Sequence, residues 1–177
     1  PIAWLKSYPI ADDVNYIYAY NIGAFSFATI VINRDKWDGL DVSQKQALWG
    51  AQSGVSARTV VRLYVAEAIK ARMIAKEKGI PINNAGPDIE EFWLDFRKDE
   101  TSTVNKVASD LGAKNPKEIS NNFVKNIEKW EKIIFSSGLS NLLNLEELNE
   151  EILYKAEVEY EALLQKNIFD KINPEDL

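Results

Sequence analysis

FSFATIVINRDKWDGLDVSQKQAL, residues 25–48, sets a strand-like run, a polar turn and a helix start one after another. Residues 25–32 are rich in aromatic and β-branched side chains, which suit a buried strand. The pair Asp38-Gly39 is typical of a turn. Asp41 stands where an N-cap carboxylate accepts a backbone N–H, and Gln44 can complete a capping box. The stretch therefore predicts a strand, a turn and a helix that begins near Asp41.

That helix is predicted to continue to Lys78, because Gly79 and Pro81 follow as stop signals. Gly54 lies inside it and indicates a bend or a close packing contact. The apolar residues recur at three- and four-residue steps, which is typical of an amphipathic helix with one buried face. The residues of this predicted stripe are Leu48, Ala51, Val55, Val61, Val65, Ala68, Ile69 and Met73.

The rest of the chain is predicted to be mainly helical, with a few short strands. Residues 2–10 could form a short helix, residues 14–33 two strands joined near residues 21–23, and residues 80–83 a further short strand. Three more helices are predicted from Pro87 to Gly112, from Asn115-Pro116 to residues 136–138, and over residues 144–167. No internal repeat or low-complexity segment interrupts this order.

Several motifs occur in an order that matches one known family. They are VIN at residues 31–33, a charged pair before Trp37, SQKQAL at 43–48, FRKD at 96–99, LGAKNP at 111–116, NFVKNIEKWEKI at 122–133 and IFDKINPEDL at 168–177. This order resembles the solute-binding subunits of tripartite ATP-independent periplasmic (TRAP) transporters, the DctP-like family.

The resemblance implies an α-rich α/β fold class for this chain. It would be the C-terminal part of a two-lobe periplasmic solute-binding fold, with two or three strands and a long bracing helix. Residues 1–177 would then form a single helix-rich C-terminal portion, and the family's N-terminal part would be absent.

Composition excludes several classes of function. The 21 Lys and Arg against 27 Asp and Glu give a net charge of −6, which disfavours nonspecific binding to nucleic acid. The chain has no Cys and no His, so thiol nucleophiles, disulfides, His-based acid–base pairs and the usual zinc ligand sets are excluded. No cofactor is predicted.

Residues 14–33 carry no charge and are about as long as a membrane-spanning helix requires. The asparagines in this stretch and the alternation of Tyr16, Tyr18 and Tyr20 favour two strands instead. We therefore expect a chain that is not itself embedded in a membrane.

Charged residues on the helices invite a catalytic or metal-binding interpretation. The acidic pairs Glu90-Glu91, Glu146-Glu147 and Glu150-Glu151 are the candidates, but adjacent helical positions diverge and acids in a first turn favour the helix dipole. No calcium-loop motif is present. Neither a metal site nor an enzyme is predicted. Arg58, Arg62 and Arg72 are expected to pair with neighbouring acids or extend into solvent.

A ligand site is predicted at Trp4, Asn21 and Phe25. In the family that the chain resembles, the turn between the strands and the segment near this chain's start line the ligand cleft. Trp4 and Phe25 could cover the carbon skeleton of an organic anion, and Asn21 could donate a hydrogen bond. Core roles for the two aromatic residues are an equally open alternative.

The resemblance implies an extracytoplasmic solute receptor that captures a small organic acid, such as a dicarboxylate, and delivers it to TRAP membrane permease subunits. Its location would be periplasmic or otherwise extracytoplasmic. The alternative is a helical structural or interaction module that docks another protein. Exposed apolar area would distinguish the two, because a severed two-lobe protein should leave a large apolar patch near Trp4 and the strands, where an independent module should not.

Overall fold

The structure, a computed structural model, describes residues 4–19 and 30–177, and all of their side chains except those of Trp4, Ser7 and Asp99. The α-helices are α1 (Trp4–Ser7), α2 (Arg34–Asp38), α3 (Val42–Arg58), α4 (Ala66–Glu77), α5 (Pro87–Asp110), α6 (Pro116–Ser137) and α7 (Glu150–Asn167). A π-helical stretch, Thr59–Val65, joins α3 to α4, and 3₁₀ turns span Leu139–Asn144, Phe169–Lys171 and Pro174–Asp176. Strands β1 (Ile17–Ala19) and β2 (Ile82–Asn84) pair in parallel, with Ile17 opposite Ile82.

The predicted fold class, an α-rich α/β arrangement forming part of a two-lobe solute-binding fold, is wrong for the described residues. They are mostly helical, and their sheet consists of two strands of three residues each. Tyr16 and Tyr18 do share one face, with ring centroids 5.4 Å apart, but both side chains are exposed. A sheet layer needs a covered apolar face, and this short pair does not provide one.

The described residues divide into two compact units. The first, called the core unit below, comprises residues 4–15, 30–81 and 142–177. In it α1 packs on α4, and α7 packs along α3. The second, called the hairpin unit, comprises residues 16–19 and 82–141 and contains β1, β2 and the packed helices α5 and α6.

The long helix that the sequence predicts is present as a continuous helical run from Val42 to Glu77. Its start is confirmed in detail, because the Asp41 carboxylate accepts from Gln44 N at 2.8 Å while Gln44 Oε1 accepts from Asp41 N at 3.0 Å. Its end is confirmed as well, since Gly79 adopts a left-handed φ of 67°. Only Gly accepts such a backbone without strain, so the residue stops the helix.

The buried stripe of this run differs from the predicted one. Val61 and Ile69 are buried as predicted, but Leu48, Val55 and Met73 are exposed. The observed stripe consists of Ser53, Ala57, Val61, Ala66, Ile69, Ala71 and Ala75. The step between successive buried residues is five from Val61 to Ala66, because the wider turn of the π-helical stretch rotates every later side chain about the helix axis. Small residues dominate the stripe because they let neighbouring helices approach closely.

Other elements agree with the sequence except at some boundaries. Helices α5 and α6 begin at the predicted prolines, and β2 lies where a short strand was expected. Asn115, however, sits at φ 57° and makes no side-chain cap. The last helix begins at Glu150 instead of residue 144, because Asn149 supplies its cap by accepting from Ile152 N. In the predicted second strand, residues 25–29 lie outside the described residues and residues 30–32 are not in a strand.

The hydrophobic core lies in the core unit. Its buried apolar residues are Leu5, Trp37, Ala57, Val61, Ala66, Ile69, Ala71, Ala75, Ile80, Leu142, Leu153, Ala156 and Leu164. In the hairpin unit, Leu139 is the buried apolar residue among those described. The core unit therefore gives α3 and α7 the fixed positions that a binding site needs.

Candidate functional site

The three ligand-binding residues predicted from the sequence are not brought together among the described residues. Asn21 and Phe25 lie outside the described part of the chain. Trp4 begins α1, but its side chain is not described. The predicted site therefore stays a prediction, and the candidate site comes from a different part of the chain.

A cleft of about 470 Å³ opens in the core unit between residues 30–32, α2, α3 and the segments that follow α7. This volume falls within the usual range for small-molecule sites. The lining is mainly aromatic and aliphatic, with few polar side chains. It consists of Ile30, Ile32, Arg34, Trp37, Leu48, Trp49, Gln52, Ser56, Ile168, Phe169 and Leu177.

Two helix caps place the wall formed by α2 and α3. The Asn33 side chain accepts from Lys36 N at 3.2 Å and so begins α2, which puts Arg34 and Trp37 one turn apart on the same side. The capping box of α3 then fixes the next helix, whose residues Leu48, Gln52 and Ser56 recur every four positions along one face. The cleft wall is therefore set by local sequence signals.

The opposite wall is held to α3 by one aromatic pair. Trp49 Nε1 donates a hydrogen bond of 3.1 Å to the main-chain oxygen of Phe169, and the two rings meet edge to face with centroids 5.0 Å apart. This geometry satisfies the indole donor and matches the favourable orientation for aromatic quadrupoles. Phe169 thus lies in a defined position although it belongs to a 3₁₀ turn after α7.

Arg34 is the one cationic side chain in the lining of the cleft, as far as the described residues go. Its Nε lies 3.3 Å from Asp38 Oδ2, and its Nη1 donates to the main-chain oxygen of Leu177 at 2.5 Å. The side chain is 72% exposed, so it keeps donors free for a ligand from solvent. A planar guanidinium presents five donors in a fork that fits a carboxylate.

Trp37 lies at the base of this group and is buried. Its ring carries the ammonium of Lys45 at 5.6 Å from the centroid, a cation–π arrangement. Its Nε1 is buried without a hydrogen-bond acceptor among the described residues. An unsatisfied buried donor costs about 1–3 kcal/mol, a cost that a ligand or an ordered water accepting from it would remove.

One of the acidic pairs that could have suggested chemistry, Glu150-Glu151, has separate partners for its two carboxylates. Glu150 and Glu151 lie in the first turn of α7, where Glu150 pairs with Arg62 and Glu151 with Lys155. Within the described residues, no group of three or more acidic side chains is arranged to hold a metal ion. No Asp or Glu side chain lines the cleft either, judged on the residues described.

Of the arginines on the long helical run, Arg62 makes the expected ion pairs with acidic side chains. Arg62 donates to Glu157 and to Glu150, and the hydrogen bond to Glu150, followed by that to Glu157, raises the pKa of Arg62. Arg72 donates to the main-chain oxygen of Leu145 at 3.1 Å. These contacts tie the run to α7 and to the segment before it.

Sequence reasoning missed the cleft residues because it assigned Arg34 to a turn and left Phe169 within a tail motif. The sequence did contain a signal for α2. Asn33 is a residue type that caps helices, and it stands three positions before Lys36 and four before Trp37, as in a capped turn of helix. No local pattern could show that residues 168–177 return to α3, because that contact spans 120 positions.

Within the described residues, the helices include none that combines the length and the apolar character needed to cross a membrane. Comparison with protein-family models, with curated proteins and with solved structures found no match. The resemblance to TRAP solute-binding subunits therefore depends on the quoted motifs alone.

Proposed function

We propose that this chain captures a small organic acid in the cleft and does so as the solute-binding component of a TRAP transport system. The observation that supports binding is the cleft itself, an apolar cavity whose lining, among the described residues, contains a single guanidinium. Such a cavity, mostly apolar with a few placed polar groups, is the usual form of a small-molecule site. Delivery to a membrane permease and an extracytoplasmic location are proposed on the sequence resemblance alone.

The chemistry of capture follows from the hydrogen bonds that Arg34 already makes. A ligand carboxylate would take the donor now directed at the main-chain oxygen of Leu177. The existing bond is already charge-assisted because its donor is the guanidinium, but a ligand carboxylate adds its own charge and can accept two parallel N–H bonds, so the exchange favours the ligand. The carbon skeleton would then displace water from the aromatic and aliphatic walls.

Binding without catalysis is part of the proposal. Acid–base or nucleophilic chemistry requires a titratable or nucleophilic group held close to the ligand by a second group. Ser56 has the only hydroxyl in the lining among the described residues, and no base lines the cleft beside it there. The described lining therefore supports recognition of a ligand, which is the role proposed.

The test is isothermal titration calorimetry of the full chain with a panel of mono- and dicarboxylates, repeated with Arg34→Gln. We expect that this substitution weakens the best ligand by about 10- to 100-fold, because a hydrogen bond to a charged group contributes about 1.5–3 kcal/mol. The matched control is Arg58→Gln, which removes the same charge from an exposed position outside the cleft. Equal losses in both variants, or no heat with any acid, would overturn the proposal.

A second candidate function, the docking of another protein, is favoured by the hairpin unit. Large apolar side chains on α5 and α6 are exposed, among them Phe92, Phe96, Phe123 and Phe135. Extended apolar surface of this kind marks interaction sites. Sedimentation velocity of the chain with and without Phe123→Ser tests it: an association that the substitution abolishes supports docking, and a monomer at every concentration counts against self-docking.

A further inference from the structure

The polar groups of the cleft are distributed unequally. Among the described lining residues, Arg34 is the cation, while Gln52 and Ser56 are neutral. The amide of Gln52 is also occupied, since its Nε2 donates to the main-chain oxygen of Leu48 at 3.1 Å. The nearby Lys45 ammonium lies over the Trp37 ring and does not line the cleft. The described lining can therefore neutralise at most one anionic group of a ligand.

The walls set the character of the rest of the ligand. Trp49 and Phe169 present aromatic surface, and Ile30, Ile32 and Leu48 present aliphatic surface. Those three aliphatic side chains are all more than 40% exposed, so a ligand body that covers them gains hydrophobic free energy. A second carboxylate set against these walls would lose its hydration without gaining a cation.

Resting on the proposed function, we infer that the cleft selects a monocarboxylate with an apolar body and discriminates against dicarboxylates of the same length. The guanidinium of Arg34 binds the single carboxylate through its fork, and the aromatic pair and aliphatic wall cover the body. The dicarboxylate expectation drawn from the resemblance is thereby replaced by a narrower ligand class.

The test compares three probes that share a six-carbon chain: hexanoate, hexanedioate and hexanamide. Calorimetric titrations of the full chain at neutral pH and constant ionic strength give a Kd for each. We expect hexanoate to bind at least about tenfold more tightly than hexanedioate, because the second carboxylate of hexanedioate would find no cation in the cleft. Hexanoate should also bind more tightly than neutral hexanamide, because its carboxylate pairs with the guanidinium of Arg34. Equal affinities, or tighter binding of hexanedioate, would overturn the inference while leaving acid capture intact. Failure of all carboxylates to bind would overturn both.

A gain-of-function variant gives an independent readout. Gln52→Arg adds a second cation to the lining, so it should raise the affinity for hexanedioate by about tenfold and change that for hexanamide little. The control is Gln46→Arg, which adds the same charge on the same helix at an exposed position outside the lining. If both variants shift hexanedioate equally, the effect is one of net charge and the specificity assigned to the cleft is wrong.

Discussion

Glu67 accepts hydrogen bonds from two ammonium groups, that of Lys6 at 2.5 Å and that of Lys70 at 2.8 Å. The bond from Lys6, followed by that from Lys70, lowers the pKa of Glu67 below its ordinary value. Because Lys6 belongs to α1 and Glu67 to α4, this pair joins the start of the described chain to the long helical run. Its contribution to stability depends on the carboxylate being ionised.

The sign of the pH dependence follows from that lowered pKa. A carboxyl whose pKa is lower in the folded state contributes stability above its unfolded pKa of about 4.3, and the contribution is lost as pH falls through the folded pKa. As the pH falls below about 4.5, we expect the free energy of unfolding to decrease more steeply for the unaltered chain than for the Glu67→Gln variant. Urea unfolding followed by circular dichroism at a series of pH values measures both.

The control for this comparison is Glu77→Gln, at an exposed position on the same helix. It should retain the steep acid dependence of the unaltered chain. Parallel pH profiles for the unaltered chain and Glu67→Gln would mean that the two hydrogen bonds to Glu67 do not persist in solution.

At the scale of the element, α3 contains two glycines that differ in their surroundings. A Cβ at Gly50 would meet nothing within 4 Å, whereas one at Gly54 would lie 3.1 Å from a carboxylate oxygen of Glu161 on α7. Gly costs about 1 kcal/mol relative to Ala inside a helix. We expect Gly50→Ala to stabilise the chain by about this amount and Gly54→Ala by less, because the exposed Glu161 side chain must move.

Thermal and urea unfolding of the two variants, side by side, check the ranking. The pair is its own matched control, since both changes are Gly→Ala in one helix. Equal stabilisation would show that Glu161 moves without cost, and a loss of stability in Gly50→Ala would contradict the assignment of this position to a helix interior.

The same helical run shows how far sequence reasoning extends. Asp41, Gln44 and Gly79 predict its ends correctly because caps are made by residues within one turn of each other. The π-helical stretch Thr59–Val65 was not predictable from the apolar pattern, because it adds one residue to a turn and thus exchanges which positions face α7. The predicted stripe fails before this stretch, where Ser53 and Ala57 are buried and Val55 is exposed, and after it Ile69 is predicted correctly while Ala66, Ala71 and Ala75 are missed.

For the whole molecule, the sequence predicted helices well and the fold class wrongly. The tyrosine alternation predicts a strand at β1, but the number of strands that join it is decided by pairing between distant residues such as Ile17 and Ile82. The candidate cleft was missed for the same reason, since Trp49 and Phe169 meet only after α7 has packed along α3. Local signals specify elements, and long-range packing specifies the site.

Burial also differs between the two units, and this difference leads to a prediction about the dynamics of the chain. In α7, Leu153, Ala156 and Leu164 are buried, and α3 contributes Ser53 and Ala57. None of the described side chains in α5 and α6 is buried. Helices in water gain most of their stability from tertiary packing, so α5 and α6 should open at lower free energy than α3 and α7.

Native-state hydrogen exchange, followed by mass spectrometry or NMR, measures those opening free energies directly. Burying one large apolar side chain contributes about 1.5–3 kcal/mol, so we expect amides in the middle of α3 and α7 to be protected at least about 100-fold more than those of α5 and α6. Exchange must be in the regime where its rate rises tenfold per pH unit, so that protection reports an equilibrium. Equal protection in all four helices would mean that α5 and α6 are stabilised by contacts other than burial within this chain. Protection that rises in α5 and α6 with protein concentration would assign those contacts to a second copy, because only association depends on concentration.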